Sequence, residues 1–468
     1  MTSLKSVTLP EDIQPLLAPW EKDPWGIPRP PVNEAVLERS VLLAASAYDL
    51  AAEPWTAAGW QDVTAMVDGD LTPLNMVTEG GHKRLSRLRV KLHGMNPLMQ
   101  MMGTVMNMGE SGTCKAMIMA HPPVEGKVLI AISFMGTGER VFDWISNFRM
   151  MAEDGMHQGF LELCRQVEEK EKDITFPGLA KSLGMAKLTL HDVLQDMHRP
   201  ESPFELWMCG HSQGGAVMQV YTFRKMREGV LPAHMRGYGF ASPTVMVGDR
   251  VADPSAYPLW HVINEDDIVP RVGAQVHLGV VLSFRPDSAF RKEVYRWRED
   301  ETAQASRQAV WRILRHIRDT GSSLTISLAY AQALGDRNTA DFFTGVGSLG
   351  LFQGVFQRVM TAADNRVDAM VRFFTRHCAK RYESILGVPM DMDEVEKWRG
   401  VIHYQLSRLG VKPFGEALAE LLHFSHSIGS LENDQGAYQV IVRRGMGCLR
   451  PGVWLAGRPP RLHYGLER

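Results

Sequence analysis

The segment that most constrains the fold of this chain is residues 206–216, an apolar run that ends abruptly in Gly210-His211-Ser212-Gln213-Gly214. A buried strand that must stop, turn sharply and feed a helix needs such a Gly-x-Ser-x-Gly pattern, because side chains at both glycines would collide with the neighbouring strand and helix. The turn leaves one hydroxyl exposed at its tip, so Ser212 is the candidate nucleophile. The alternative is a glycine-rich turn without chemistry.

Strand and helix patterns alternate on both sides of this turn. Such alternation predicts an α/β fold, with a mostly parallel sheet that is flanked by helices on both faces. The predicted strands are 114–119, 128–134, 204–209, 235–241, 259–264 and 277–284, and the predicted helices are about 141–168, 179–198 and 215–227.

Four consecutive regions can be distinguished along the chain. Residues 1–110 are predicted to form a proline-rich arm and an N-terminal helical extension, with an amphipathic helix over 33–52. Residues 111–287 hold the first part of the α/β core, and the strands stop at its end. Residues 288–390 are predicted to be helical, either as an insertion into the sheet domain or as a separate domain. Residues 391–468 return to the core and end in a tail.

Composition excludes several classes of partner. The net charge of −2, with 22% charged residues, argues against a protein that binds nucleic acid. The five cysteines are widely spaced and include no Cys-x-x-Cys pair, so neither a disulfide framework nor a structural zinc site is expected. No metal and no cofactor are predicted.

The ends and the apolar runs of the sequence bear on its location. The first residues lack the apolar core of a secretory signal, and no apolar run reaches the roughly 18 residues that cross a bilayer. A cytoplasmic protein is therefore the default expectation, with secretion by a signal-less route as the alternative.

A serine hydroxyl becomes a good nucleophile only when a histidine accepts its proton and a carboxylate orients that histidine. In sheets of this type the order along the chain is serine, acid, histidine. Asp266 and Asp267 follow an apolar strand, so either carboxylate would project from the edge of the sheet where such sites lie. The alternative for this pair is an ordinary acidic loop.

Five short motifs, the first of them followed by Asp143-Trp144, occur in the order that is typical of the class 3 lipases, the fungal-lipase-like branch of the α/β-hydrolases. The resemblance covers about residues 114–284 and implies an α/β-hydrolase fold and a lipid ester substrate. It is carried by Ser133-Phe-Met-Gly-Thr137, Asp143-Trp144, His157-Gln-Gly-Phe160, Gly210-His-Ser-Gln-Gly214, Gly239-Phe-Ala-Ser-Pro243 and Asp267-Ile-Val-Pro270.

The resemblance assigns roles position by position. Ser212 is the expected nucleophile, and Asp267 is the expected acid because it directly precedes Ile-Val-Pro. The backbone N–H groups of Thr137 and Gln213 are the expected oxyanion donors. Two residues depart from the family pattern, since Met135 replaces the usual arginine and Gln213 the usual leucine. Neither change removes a backbone donor.

The base is expected among the histidines that follow Asp267. The family places its histidine in a stretch similar to His-Ser-Met-x-x-Tyr, and His426-Ser-Ile-Gly-Ser-Leu431 resembles it loosely, with leucine in place of tyrosine. His426 is therefore preferred, and His403 and His423 are the alternatives.

The expected function is that of a serine hydrolase that cleaves carboxylic esters, lipid esters in particular, through a Ser-Asp-His triad and an acyl-enzyme. The alternatives are a phospholipase or lipid acyltransferase with the same triad, and a non-catalytic hydrolase-like binding protein. The predicted insertion suits a lid over the site. Its basic stretch 291–318 suits peripheral contact with a membrane or lipid interface, against the alternative of a solvated helix face.

Overall fold

The fold is known from a computed structural model. It describes residues 12–23, 26–67, 69–74, 114–136, 155–246, 251–267, 269–271, 276–295, 305, 307–309, 311–312, 420–421, 423–431 and 436–452. Thr137, His403, the Asp143-Trp144 motif and most of the predicted insertion 288–390 lie outside these residues.

A nine-stranded sheet organises the described residues, in the order β11-β10-β9-β8-β7-β6-β5-β3-β4. Strands β6 to β10 run parallel to one another, whereas β5, β3 and β4 at one edge and β11 at the other are antiparallel to their neighbours. The strands are β3 (Gln61–Val67), β4 (Asp70–Pro73), β5 (Ala116–Ala120), β6 (Val128–Phe134), β7 (Phe204–His211), β8 (Met235–Phe240), β9 (Leu259–Asn264), β10 (Val280–Phe284) and β11 (Leu449–Gly452), beside a separate hairpin of β1 (Glu21–Lys22) and β2 (Pro28–Arg29).

Helices cover both faces of this sheet. Along β7, Trp207 and Cys209 belong to one apolar core, and Leu206 and Met208 belong to the other. The first core is shared with α2, α3, α8 and α9, and the second with α4 to α7. The helices are α1 (Gln14–Leu17), α2 (Glu34–Asp49), α3 (Glu53–Ala57), α4 (Gln158–Lys170), α5 (Pro177–Ser182), α6 (Leu190–Asp196), α7 (Gln213–Glu228), α8 (Ser288–Val294) and α9 (Ala437–Arg443).

This arrangement confirms the predicted α/β fold with a mostly parallel, helix-flanked sheet, and it fits an α/β-hydrolase. The carboxyl ends of β6, β7 and β9 meet at one edge, where ligand sites form in such sheets. Of the helices in the described ranges, none has both the length and the apolar character needed to cross a bilayer.

Helix α2 is fastened to the sheet by buried hydrogen bonds. The Ser133 hydroxyl of β6 donates to the carbonyl of Leu43 at 3.0 Å, and the Trp207 indole of β7 donates to the Ser40 hydroxyl at 3.1 Å. The helix begins with Asn33 as its N-cap, whose side chain accepts from the Val36 N–H. These contacts fix the last turn of α2 relative to the ends of the central strands.

The predicted single helix over 179–198 is wrong. Two short helices, α5 and α6, occupy this segment, and Gly184 between them has φ +69°. Thr189 then starts α6 with a reciprocal capping box to Asp192, which makes the second helix an independent element.

Strands at both ends of the sheet were not predicted from the sequence. Strands β3 and β4 lie within the region predicted as an arm with a helical extension, and β11 pairs with β10 although no strand was expected after residue 287. Strands β4 and β11 have four residues each and form the two edges of the sheet, so their alternation is too brief to stand out in the sequence. Strand β3 lies between β5 and β4, and the register of its pairing with β5 shifts between Gln61 and Thr64.

Candidate active site

Ser212 lies at a strained turn between β7 and α7. Its backbone has φ 58° and ψ −131°, which side-chain-bearing residues rarely adopt. A Cβ atom at Gly210 would lie 2.6 Å from the Gly215 nitrogen, and one at Gly214 would lie 2.6 Å from the carbonyl carbon of Phe134 in β6. Both glycines are therefore required for the strand and helix to approach this closely.

The expectation that the Ser212 hydroxyl is exposed is wrong, because only 2% of this residue is accessible. The segment after β6 closes over the turn. A Cβ atom at Gly136 would lie 3.1 Å from the Ser212 Cβ, so the backbone directly before Thr137 passes beside the serine. Among the described residues, nothing hydrogen-bonds to the Ser212 Oγ.

Asp267 follows the carboxyl end of β9 and is fully buried. One carboxylate oxygen, Oδ2, is 2.8 Å from His426 Nδ1 and accepts from the Tyr438 hydroxyl at 2.8 Å. The other oxygen, Oδ1, accepts from the Val269 N–H at 2.9 Å. Three donors thus satisfy the buried carboxylate and fix its plane.

His426 lies at the end of a helical turn, residues 423–426, and is 2% exposed. Because its Nδ1 donates to the Asp267 carboxylate, the neutral ring leaves Nε2 as a proton acceptor. Nε2 is buried and has no hydrogen-bond partner among the described residues. The structure therefore brings Asp267 and His426 of the predicted triad into contact, and among the described residues nothing occupies the accepting nitrogen of His426.

The other candidates for acid and base occupy different surroundings. Asp266 receives two hydrogen bonds from Arg291, at 2.8 and 2.9 Å; burial raises the pKa of Asp266 and the guanidinium opposes this shift. His423 is exposed and its ring contacts Phe424. His403 lies outside the described residues.

One of the two predicted oxyanion donors, Gln213, directly follows Ser212 in the chain. Gln213 begins α7, and the first N–H groups of a helix have no partner within it. Such groups can bind a developing negative charge. Thr137 directly follows Gly136 and itself lies outside the described residues.

Residues 131–277 match the model of a known family, described as lipase (class 3). This part of the chain is similar to the class 3 lipases. It contains Ser212 and Asp267, whereas His426 and Tyr438 lie beyond it. The curated protein sequences compared with this chain gave no match.

Solved structures of lipases are also similar to this chain. A triacylglycerol lipase described as having a serine protease triad is 21% identical, with a TM-score of 0.27, over 38% of this chain and 63% of its own. Rhizomucor miehei lipase in its propeptide complex is 22% identical, with a TM-score of 0.27, over 36% of this chain and 52% of its own. Lipase from Rhizopus microsporus var. chinensis is 17% identical, with a TM-score of 0.33, over 60% of this chain and 84% of its own. The first two of these are matched over less than two thirds of their length.

Three residues beside this candidate site were not found from the sequence. Tyr438 of α9 binds Asp267, whereas the family pattern directed attention to position 431, which holds leucine. His211 and Tyr48 are hydrogen-bonded to each other at 2.8 Å next to the serine. Tyr438 could have been sought among the aromatic residues of the helix after His426, but no local pattern indicates Tyr48.

The arrangement can support nucleophilic acyl transfer. It combines a serine on a strained turn, a histidine whose accepting nitrogen is unoccupied, and a buried carboxylate that orients the histidine. In the described ranges, no group of three or more histidine, cysteine, aspartate or glutamate side chains is placed to hold a metal ion.

Proposed function

We propose that this protein is a serine hydrolase that cleaves carboxylic esters, with lipid esters as the substrate class. The observation that carries the proposal is the 2.8 Å contact between His426 Nδ1 and Asp267 Oδ2, at the same sheet edge as the strained turn of Ser212. The match of residues 131–277 to the class 3 lipases supports the choice of lipid esters.

In the proposed first step, Ser212 Oγ attacks the ester carbonyl and His426 Nε2 accepts the hydroxyl proton. The tetrahedral oxyanion would be stabilised by the backbone N–H groups of Gln213 and Thr137. The intermediate collapses, the ester C–O bond breaks, and His426 returns the proton to the leaving alcohol. Ser212 is then acylated.

In the proposed second step, water replaces the alcohol. His426 accepts a proton from water as its oxygen attacks the acyl carbonyl, and the proton returns to Ser212 Oγ as the carboxylic acid leaves. Asp267 stays ionised throughout and stabilises the imidazolium that forms in each step. The Tyr438 and Val269 donors hold its carboxylate in the orientation that this role needs.

Contact of the basic stretch 291–318 with an anionic interface is a weaker proposal. Two of its arginines are already paired within the protein, since Arg291 binds Asp266 and Arg307 binds Glu420 at 3.1 Å. These pairs favour a role in attaching the helical region to the core. The proposed lid lies mostly outside the described residues.

An active-site-directed fluorophosphonate tests the nucleophile. We expect the wild type and the matched control Ser242→Ala to be labelled, and Ser212→Ala to remain unlabelled. Ser242 is a suitable control because it is also a buried serine beside the turn. Labelling of Ser212→Ala at the wild-type rate would refute the proposal.

A panel of substrates tests the ester class. p-Nitrophenyl esters of increasing chain length, triacylglycerol, phospholipid and an alcohol acceptor separate lipase, phospholipase and acyltransferase activity. Preference for short soluble esters would refute lipid esters as the substrate class, whereas the proposal of a serine hydrolase would stand. Binding of lipid without turnover or labelling would instead establish a non-catalytic binding protein.

A further inference from the structure

Two hydrogen bonds pass beside Ser212, from Tyr48, whose hydroxyl lies against Gly136 after β6, through His211 to the backbone of His426. We propose that Tyr48 and His211 act as positioning residues, which hold the oxyanion segment and the base in register through one neutral imidazole. The inference rests on the proposed function, because it concerns the alignment of that same site.

The direction of each hydrogen bond follows from its acceptor. The carbonyl of His426 can only accept, so His211 Nε2, at 2.8 Å, carries the proton. In the neutral ring Nδ1 is then an acceptor, and the Tyr48 hydroxyl donates to it at 2.8 Å. The Tyr48 hydroxyl also lies against Gly136, where an added Cβ atom would meet it. The Tyr48 donor and both ring nitrogens of His211 are thus each used in one hydrogen bond.

The surroundings keep His211 neutral. The residue is 5% exposed, and burial, with the neighbouring His426, holds the pKa of His211 well below its usual range. Its ring centre lies 4.6 Å from that of His426. A charge on His211 would oppose the imidazolium that must form on His426 during turnover. The bond from Tyr48 occupies the nitrogen that would otherwise take this proton.

The two ends of the relay are the parts of the site that most need alignment. Gly136 directly precedes Thr137, a proposed oxyanion donor, and His426 is the proposed base. Between them, a Cβ atom at Gly136 would lie 2.7 Å from the His211 carbonyl oxygen, so the segment passes in close contact with the turn. The Tyr48 hydroxyl packs against Gly136 and binds His211, so it links the two sides of this contact and fixes the position of the oxyanion segment relative to the base.

Helix α2 gives the relay a rigid support. Tyr48 lies in the last turn of α2, and the bonds of Ser133 and Trp207 anchor this helix to β6 and β7. The N-terminal region is thereby assigned a part in the site, although its residues precede the family match at 131–277.

Tyr48→Phe removes only the hydroxyl of the relay. We expect kcat for a short soluble ester to fall about tenfold, the effect of one lost hydrogen bond, with KM within twofold of wild type. Tyr238→Phe is the matched control, because the buried Tyr238 hydroxyl donates at 2.5 Å to the Pro31 carbonyl away from the site. The control should lose thermal stability similarly and keep its kcat within twofold.

Substitution of His211 separates hydrogen bonding from packing. Leucine removes both polar contacts, whereas the similarly sized glutamine keeps a donor for the His426 carbonyl. We expect His211→Leu to lower kcat about 100-fold and His211→Gln to recover most of this loss. Adding Tyr48→Phe to His211→Leu should cause no further decrease, since groups that act as one unit are not additive.

The proposal is overturned if Tyr48→Phe lowers kcat no more than Tyr238→Phe does, or if the effects of Tyr48→Phe and His211→Leu simply add. A readout independent of turnover is the ¹⁵N spectrum of the His211 imidazole at neutral pH, which should show the Nε2–H tautomer in the wild type and keep it in Tyr48→Phe, with the Nδ1 resonance shifted by the loss of its donor. A mixture of tautomers in the wild type would refute the relay. Absence of fluorophosphonate labelling in the wild type would instead refute the proposed function.

Discussion

Gly214, two residues after the proposed nucleophile, allows a test of how closely β6 and α7 must approach each other for the site to work. In Gly214→Ala, the new Cβ would lie 2.6 Å from the carbonyl carbon of Phe134 and 2.9 Å from that of Met135, whereas ordinary contact begins at 3.4 Å. Both contacting atoms belong to the backbone at the end of β6, so no side-chain rotation can relieve the overlap. The end of β6 must therefore move by about 1 Å relative to α7, a displacement large enough to disturb catalysis.

The displaced backbone leads directly into Gly136 and Thr137. A misplacement of about 1 Å costs on the order of 100-fold in rate, and the loss of one oxyanion donor costs a similar factor. We expect kcat of Gly214→Ala to fall about 100-fold for a short p-nitrophenyl ester, with a smaller change in KM. Overpacking should lower the free energy of unfolding by about 1–3 kcal/mol.

Gly215→Ala is the matched control for this substitution. Its Cβ would lie 2.9 Å from the Ser242 Cβ and still closer to the Ser242 hydroxyl, so the obstacle is a side chain. Combining Gly215→Ala with Ser242→Gly removes both contacting atoms and should restore activity. A folded Gly214→Ala enzyme with kcat within twofold of wild type, measured beside thermal melting, would refute the argument.

Three further perturbations test the acid, the buried histidines and the neighbouring carboxylate. Tyr438→Phe removes a donor from the Asp267 carboxylate and should lower the free energy of unfolding by about 2 kcal/mol and kcat about tenfold, as measured by urea titration and ester hydrolysis. Burial lowers the pKa of His157 and of His261 to about 4, so below pH 6.5 the unfolded chain takes up protons that the folded protein refuses. Stability should fall as the pH drops from 6.5 towards 4, by at most about 3 kcal/mol for each histidine, in urea titrations across that range. Asp266→Asn should keep kcat within about tenfold, whereas Asp267→Asn should lose about 10⁴-fold.

Each of these expectations has an outcome that contradicts it. Unchanged unfolding and kcat in Tyr438→Phe would show that the hydroxyl makes no net contribution. A stability that stays constant between pH 6.5 and 4, or a His157→Gln variant with the wild-type pH dependence, would contradict the burial of neutral histidines. Loss of turnover in Asp266→Asn, with mild effects in Asp267→Asn, would exchange the roles of the two carboxylates.

The central part of the fold could be predicted because its signals are local. Strands β7, β8 and β9 are buried on both faces, so each appears in the sequence as a short apolar run followed by small or polar residues. The turn at Ser212 is encoded by glycines within five residues. The missed strand β11 is only four residues long and depends on pairing with β10, more than 160 positions earlier, so no local pattern distinguishes it.

The positions of the proposed triad could be named from short motifs, whereas its hydrogen-bond partners could not. Tyr48 lies 163 residues from His211, and Tyr438 lies 171 residues from Asp267. Each tyrosine occupies an ordinary apolar-face position of an amphipathic helix, where an aromatic residue is expected for packing alone. Only the folded chain shows that these two hydroxyls reach the site.

The helices that cover one face of the sheet therefore contribute to the chemistry as well as to the core. Helices α2 and α9 pack against each other, and they supply the Tyr48 and Tyr438 hydroxyls respectively. The family match ends at residue 277, before His426, and begins at residue 131, after α2. The matched segment thus contains the proposed nucleophile and acid but lacks the base and both hydroxyls. The unit required by the proposed mechanism therefore extends from α2 to α9, and we expect substitutions in either helix to affect kcat even though both helices lie outside the segment that matches the family.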